Sequence, residues 1–178
     1  DSHYPYTFTV FTPTYNAEKT LERTHKSLLN QTFKDFEWLI INDGSTDNSH
    51  EIITPIIESS PLNINYVHKI KNQHKMAGFM ESIKLAKGKF LLTFDADDEC
   101  VAEALRIFND EYISIPSDLK PKVSSITGLC IDKRGNMIGQ HYPFDPYYSD
   151  TFKSHALDHI FGEKWGFTKT NVLKSIAY

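Results

Sequence analysis

Between residues 6 and 95 one pattern recurs: an apolar run rich in β-branched and aromatic residues, a polar cluster, then a stretch with helical spacing. "YTFTVFTP" (6–13), "FEWLIIND" (36–43), "INYVHK" (64–69) and "KFLLTFD" (89–95) read as strands. The segment 17–31 sets Leu21, Leu28 and Leu29 on one helical face, with Asn16 as N-cap. The segment 47–59 carries Ile52, Ile53, Ile56 and Ile57 at helical spacing, and its Pro55 predicts a kink. The segment 76–88 aligns Phe79, Met80, Ile83 and Ala86 and ends on Gly88 as the residue just past the helix. Strand–helix alternation at this spacing predicts an α/β fold with a parallel sheet and right-handed crossovers.

After Glu99 the pattern changes. Residues 101–114 read as a helix, 122–132 as a strand, 133–136 as a turn and 137–144 as the return strand of a hairpin. Residues 145–178 are aromatic-rich and weakly patterned. The 178 residues suit one domain, 1–178, with a regular half (1–98) and a less regular half (99–178). A net charge of -4 argues against a polyanion-binding molecule, so nucleic acid is not an expected partner. Cys100 and Cys130 match no metal spacing; a disulfide between them stays open, with a reducing cytosol as the default. No apolar run approaches a membrane span. No leader pattern is visible, but the chain opens at Asp1 rather than Met, so this says little about what precedes it.

Ligands of parallel α/β sheets bind beyond the carboxyl ends of the strands. "TPTYN" (12–16), "NDGSTD" (42–47) and "DADD" (95–98) all follow strands, which puts three polar clusters on one sheet edge. In the second cluster Gly44 permits positive φ, and Asp47 or Asn48 caps the next helix. Asp43 has no such duty, and a carboxylate at a strand tip can accept N–H bonds from a nucleobase. In the first cluster a cap explains Asn16 but not Thr12 or Tyr15, whose ring either packs in the core or stacks on a base. In the third, Asp95, Asp97 and Asp98 repel one another, and a helix dipole accounts for only one or two acids. The expected positive partner is a divalent cation, Mg²⁺ or Mn²⁺, held by one or two carboxylates plus substrate phosphates. A calcium EF-hand loop is excluded, because Cys100 and Arg106 stand where its Gly and closing Glu belong.

"TPTYNAEKTLERTHKSLLNQTFKDFEWLIINDGSTDNS" (12–49) resembles the opening of family-2 glycosyltransferases, and "AKGKFLLTFDADDE" (86–99) resembles their DxD region. The resemblance covers about residues 6 to 100. It implies the GT-A fold: a Rossmann-like, mostly parallel sheet flanked by helices, with a nucleotide-sugar-binding half and a less regular acceptor-side half. It implies that Thr12, Pro13, Thr14 and Tyr15 line a nucleoside pocket and that Asp43 reads the base edge. Asn42 stands where the family more often has Asp. Asp95 and Asp97, with Ala96 between them, would hold the ribose and a metal-bound diphosphate, and Asp98 would share the metal. Lys75 either touches phosphate or lies solvated, and His74 is left as a surface residue. Phe79-Met80 stand where many members carry an Arg-Asn pair. The family's catalytic base lies further along. "KWGFTKTNVLKSIAY" (164–178) is similar to its lead-in, so the chain is expected to stop short of the base, with Asp158 and Glu163 as in-chain candidates.

The implied activity is transfer of a sugar from a nucleotide diphosphate sugar, UDP-linked by preference, to a glycan or lipid-linked acceptor, with inversion and divalent-metal assistance. The implied setting is bacterial polysaccharide or glycoconjugate assembly, cytoplasmic or at the inner face of the membrane, with peripheral attachment through segments beyond this chain. The aromatic run "HYPFDPYY" (141–148) suits stacking on sugars or packing within the protein. Two alternatives stand beside this. A haloacid-dehalogenase-type phosphoryl-transfer enzyme also places Asp-x-Asp after a strand, with "SSIT" (124–127) as second motif, but it leaves the other two clusters unexplained. A non-catalytic nucleotide-sugar-binding module needs no base.

Overall fold

The computed structural model describes residues 4–150 and 153–177. Tyr178, with which the expected lead-in to the base ends, lies outside the described residues. Two compact units are formed, residues 4–126 with 167–177, and residues 127–166.

The first unit is built on four parallel strands in the order β3-β2-β1-β4: β1 (Tyr6–Thr14), β2 (Phe36–Asp43), β3 (Asn63–Lys69) and β4 (Gly88–Thr93). Helices α1 (Leu21–Leu29), α2 (Ser49–Ser59) and α3 (His74–Leu85) connect them. The alternation read from sequence is thus the observed βαβ winding. All eight residues of β2 are buried, as a central strand covered on both faces requires. On one face Phe11, Leu39, Ile41 and Leu91 pack with Ile83 and Ala86. The opposite side chains of β1 and β4 join Phe8 to Phe90 at 5.5 Å between ring centroids. Further along come α4 (Ala104–Ser114), β5 (Ser125–Ile131), β6 (Met137–Ile138), β7 (Lys164–Lys169) and α5 (Thr170–Ile176). β7 pairs antiparallel with β4, Thr168 opposite Leu91, and lays Phe167 on Phe90 at 4.3 Å.

Four local expectations are corrected. Asn16 is not the N-cap of α1: the helix begins at Leu21, after turns over 17–20, and Asn16 adopts φ 51°. Gly88 does not close α3. It opens β4, where a Cβ would stand 2.2 Å from the Thr9 nitrogen, so glycine is needed for close strand approach. α4 starts at Ala104, and neither Glu103 before it nor the acids at 95–98 cap it through a side chain. The hairpin forms, but its return strand is only Met137–Ile138. α2 runs through Pro55. Cys100 and Cys130 are both thiols.

The second unit holds the β5–β6 pairing, a single π-helical turn at Lys153–Leu157 and several aromatic contacts. Asp132 fastens the hairpin turn by accepting from the Arg134 and Asn136 N–H groups at 2.8 Å.

Candidate functional site

A cleft of about 920 Å³ opens at the carboxyl ends of β1, β2 and β4. Pro13, Thr14 and Tyr15 enter it from β1, Asp43 from β2, and Asp95, Ala96 and Asp97 from the turn after β4. Lys75 and His74 reach it from the start of α3. The three clusters expected on one edge therefore share one cavity. Thr12 does not line it. Its hydroxyl is fully buried and accepts from the Trp38 indole at 2.8 Å, a core role. Asp98 is likewise outside the lining, although its N–H donates to the Asp95 carbonyl at 3.1 Å. His74, expected only as a surface residue, is exposed but lines the cleft with φ 71°.

The walls are cross-braced. Asn16 Oδ1 accepts from the Thr46 N–H at 2.8 Å, and its own N–H donates to Ser45 Oγ at 3.0 Å. Asp47 receives the Glu18 N–H on one oxygen and the Ser49 N–H on the other, each at 3.0 Å. The capping role expected of Asp47 is thus combined with a tie to the β1–α1 loop. Asn42 is fully buried: its amide oxygen accepts from the Ser45 N–H and its nitrogen donates to the Tyr66 hydroxyl. An ionised Asp there could only accept.

Asp43 and Asp95 share an unusual state. Asp43 Oδ2 accepts from the Gln73 N–H at 2.9 Å; Oδ1 is buried and has no hydrogen-bond partner among the described residues, with Lys69 Nζ at 3.6 Å. Gly44, at φ 72°, lets the 71–72 backbone pass beside this carboxylate: a Cβ would stand 2.7 Å from the Asn72 nitrogen. Asp95 Oδ2 accepts from Lys75 Nζ at 2.8 Å, and Oδ1 is again buried without a hydrogen-bond partner. Buried acceptors are nearly always satisfied, so two orphans in one cleft point to an absent donor or cation. Tyr15 stands at the rim, 50% exposed.

The acidic turn has cations that sequence reading did not assign to it. Arg23 lies with Nε 3.0 Å from Glu99 and donates through Nη2 to the Asp97 carbonyl. Thr24 donates to the Ala96 carbonyl at 2.7 Å, Ser27 Oγ accepts the Cys100 N–H at 2.9 Å, and Gln31 donates to the Val101 carbonyl while accepting the Leu105 N–H. One face of α1 and the residue pair beyond it therefore grip residues 96–105. Thr24, Ser27 and Gln31 are buried polar residues beside the apolar Leu21 and Leu28, and that polar stripe was the available signal.

Among the described residues, no group of three His, Cys, Asp or Glu side chains converges to hold an ion. The residues present still fit a divalent cation whose shell is completed by ligand phosphates, since Asp95 offers an orphan oxygen and Asp97 an exposed carboxylate. Asp158 and Glu163 belong to the second unit. Lys153, then the Tyr147 hydroxyl, hold the Asp158 carboxyl below the usual carboxylate range, the wrong direction for a general base near neutrality. Glu163 is exposed.

Comparison with known proteins gives one consistent picture. The family model of glycosyl transferase family 2 matches residues 9–117. An uncharacterised glycosyltransferase of Nostoc sp. is 37% identical over 168 residues, which cover 83% of this chain and 51% of the relative. The chondroitin synthase of Escherichia coli is 28% identical over 152 residues, 85% of this chain and 21% of the synthase. The chain spans about half or less of the length of most curated relatives it matches, 35%, 21%, 56% and 51% in four cases. In solved structures the same fold recurs. S. aureus TarS 1-349 in complex with UDP-GlcNAc has TM-score 0.65 and 24% identity, covering 95% of this chain and 47% of TarS. A Pyrobaculum calidifontis mannosyltransferase in complex with GDP-Man and Mn²⁺ has TM-score 0.69 and 18% identity, covering 99% and 48%. The fold is GT-A. The family match sets aside the haloacid-dehalogenase alternative. No described helix is long and apolar enough to cross a membrane.

Proposed function

The chain belongs to glycosyl transferase family 2, and from that premise we propose that it moves a sugar from a nucleotide diphosphate sugar, UDP-linked by preference, to a glycan or glycoconjugate acceptor with inversion. The observation that carries this is the single cleft in which Asp43 and Asp95 each keep a buried oxygen with no hydrogen-bond partner. Asp43 Oδ1 suits the imide N–H of uracil, while its other oxygen is already fixed by Gln73. Tyr15, half exposed at the rim, offers a face for the base. Asp95 and Asp97 stand where ribose and diphosphate would follow, with Lys75 as the cationic side chain beside them. Fold neighbours form complexes with UDP, with UDP-GlcNAc, and with GDP-Man and Mn²⁺, which supports a nucleotide sugar as donor class.

A divalent cation held by Asp97 with Asp95 or Asp98 would supply Lewis-acid neutralisation of charge growing on the leaving diphosphate. The chain's own residues bind and orient. Asp43 fixes the base, and α1 fixes the backbone carbonyls of Ala96 and Asp97 so that their carboxylate neighbours face the cleft. The acceptor hydroxyl attacks the anomeric carbon opposite the leaving group, and a carboxylate base takes its proton. Such stabilisation, stronger in the transition state than in the ground state, is what raises the rate.

Calorimetric titration with UDP, with and without Mn²⁺ and with GDP and CDP as comparators, tests the reading. UDP preference strengthened by metal is expected. Preference for GDP moves the donor to another base. No binding of any nucleotide overturns the donor site. Binding without transfer to any acceptor leaves the chain a nucleotide-sugar-binding module.

A further inference from the structure

We propose that Lys75 is the resident counter-ion of Asp95, and that it keeps a divalent cation out of the cleft until a nucleoside diphosphate arrives to draw it away. The inference rests on the donor-site reading above and adds to it an order of binding and the residue that imposes that order.

The two oxygens of Asp95 differ. Oδ2 accepts from Lys75 Nζ at 2.8 Å, whereas Oδ1 is buried with no hydrogen-bond partner. Without the ammonium, this carboxylate would sit next to Asp97 and Asp98 with both oxygens unsatisfied. Lys75 thus supplies the one cation paired with Asp95 among the described residues of the free protein. It does so at the oxygen pair that a cation needs. Among the described residues no third carboxylate, His or Cys completes a cage, so a divalent ion entering alone finds one partnered carboxylate, one exposed carboxylate and a competing positive charge.

Lys75 is built to let go. Its side chain is 67% exposed and springs from the first turn of α3. The origin of that stem is fixed, because the Gln73 N–H two residues earlier is held by Asp43 Oδ2 at 2.9 Å. An ammonium offers three donors and pivots freely about a long stem. A diphosphate lying along the same cleft carries enough negative charge to take both the ammonium and a divalent ion. Transfer of Lys75 from Asp95 to a phosphate oxygen then frees Asp95 Oδ2. Metal and nucleotide favour each other's binding through this one side chain. Arg23 makes the instructive contrast. It binds the Asp97 carbonyl and Glu99, does not line the cleft, and has no phosphate to move to.

The test is Mn²⁺ titration of the whole chain, followed by calorimetry and by the spin-resonance signal of free Mn²⁺, without UDP and at saturating UDP. In the wild type Mn²⁺ binds weakly alone and about tenfold or more tighter with UDP. In Lys75→Met, Mn²⁺ alone binds about fivefold or more tighter than in the wild type, and the coupling to UDP shrinks by the same factor. Lys75→Arg keeps the coupling. Asp95→Asn loses the UDP-independent gain when combined with Lys75→Met, which shows that the gained ion sits on Asp95. Equal Mn²⁺ affinity of wild type and Lys75→Met in the absence of UDP overturns the inference while leaving UDP binding, and so the donor site, intact. UDP that fails to bind at any Mn²⁺ concentration overturns the donor site and the inference with it.

Discussion

The two edges of the parallel sheet treat buried polar groups in opposite ways. Toward the amino ends of the strands, Glu37 is 2% exposed, and its Oε1 accepts from Thr9 Oγ1 and from the Lys87 N–H, each at 2.7 Å. Thr9 Oγ1 in turn accepts the Gly88 N–H, and Thr170 donates to the Gly88 carbonyl. Toward the carboxyl ends, Asp43 and Asp95 each leave a buried oxygen without a hydrogen bond. The first edge is finished by folding alone. The second is left open by the described residues. The difference separates a carboxylate whose acceptors the fold satisfies from one whose acceptors it leaves open, and burial alone would not have told them apart.

Four experiments press on that contrast, from the largest expected effect to the smallest. Glu37→Ala strands the Thr9 hydroxyl and the Lys87 N–H, and stability should fall by about 3 kcal/mol, a drop in Tm of about 6–12 °C. Nucleotide affinity of the folded fraction should hold; if it fell as well, the two edges would not be independent. Asp97→Ala removes an exposed carboxylate and should leave Tm in place while the metal-stimulated part of UDP binding, about thirtyfold or about 2 kcal/mol, disappears. Manganese-stimulated UDP affinity retained in that variant would remove Asp97 from the metal. Asp43→Ala should weaken UDP about tenfold even without metal, and calorimetry showing no change would take Asp43 out of the pocket. The smallest effect belongs to pH. Burial holds the His25 imidazole, stacked 5.6 Å from Trp38, below its ordinary 6.5. The unfolded chain therefore binds a proton that the folded one refuses. The stabilisation is whole above pH 6.5, declines below it, and is gone once pH falls through the lowered folded value. His25→Phe should flatten that slope in chemical denaturation between pH 7 and 5.

The alternation of strands and helices was legible because period-2 and period-3.6 patterns are local, and the three polar clusters were legible because parallel winding sends every strand's carboxyl end the same way. That inference brought Tyr15, Asp43 and Asp95 into one cleft from sequence positions 80 residues apart at most. What escaped was whatever depends on how far two elements approach. Gly88 looked like a helix terminator, yet its glycine answers to Thr9, 79 positions away. Thr12 looked available but faces Trp38 because side chains alternate along β1. Arg23 and Lys75 gave no sign of their partners, because long cationic side chains choose an anion only once the chain is packed. Gln31 was similarly silent: its amide serves the start of α4 from outside that helix.

The hold of α1 on the turn after β4 has a consequence in time. The Cys100 and Leu105 N–H groups are sheltered by Ser27 and Gln31 rather than by a ladder of their own. Their exchange with solvent hydrogen is therefore timed by the opening of a neighbouring element. In deuterium the Cys100 amide, in the irregular turn before α4, should exchange at the pace of α1, with the lifetime of a helix and not of a loop. The acidic turn inherits that clock, and the groups that would meet a nucleotide stay in place for as long as α1 does.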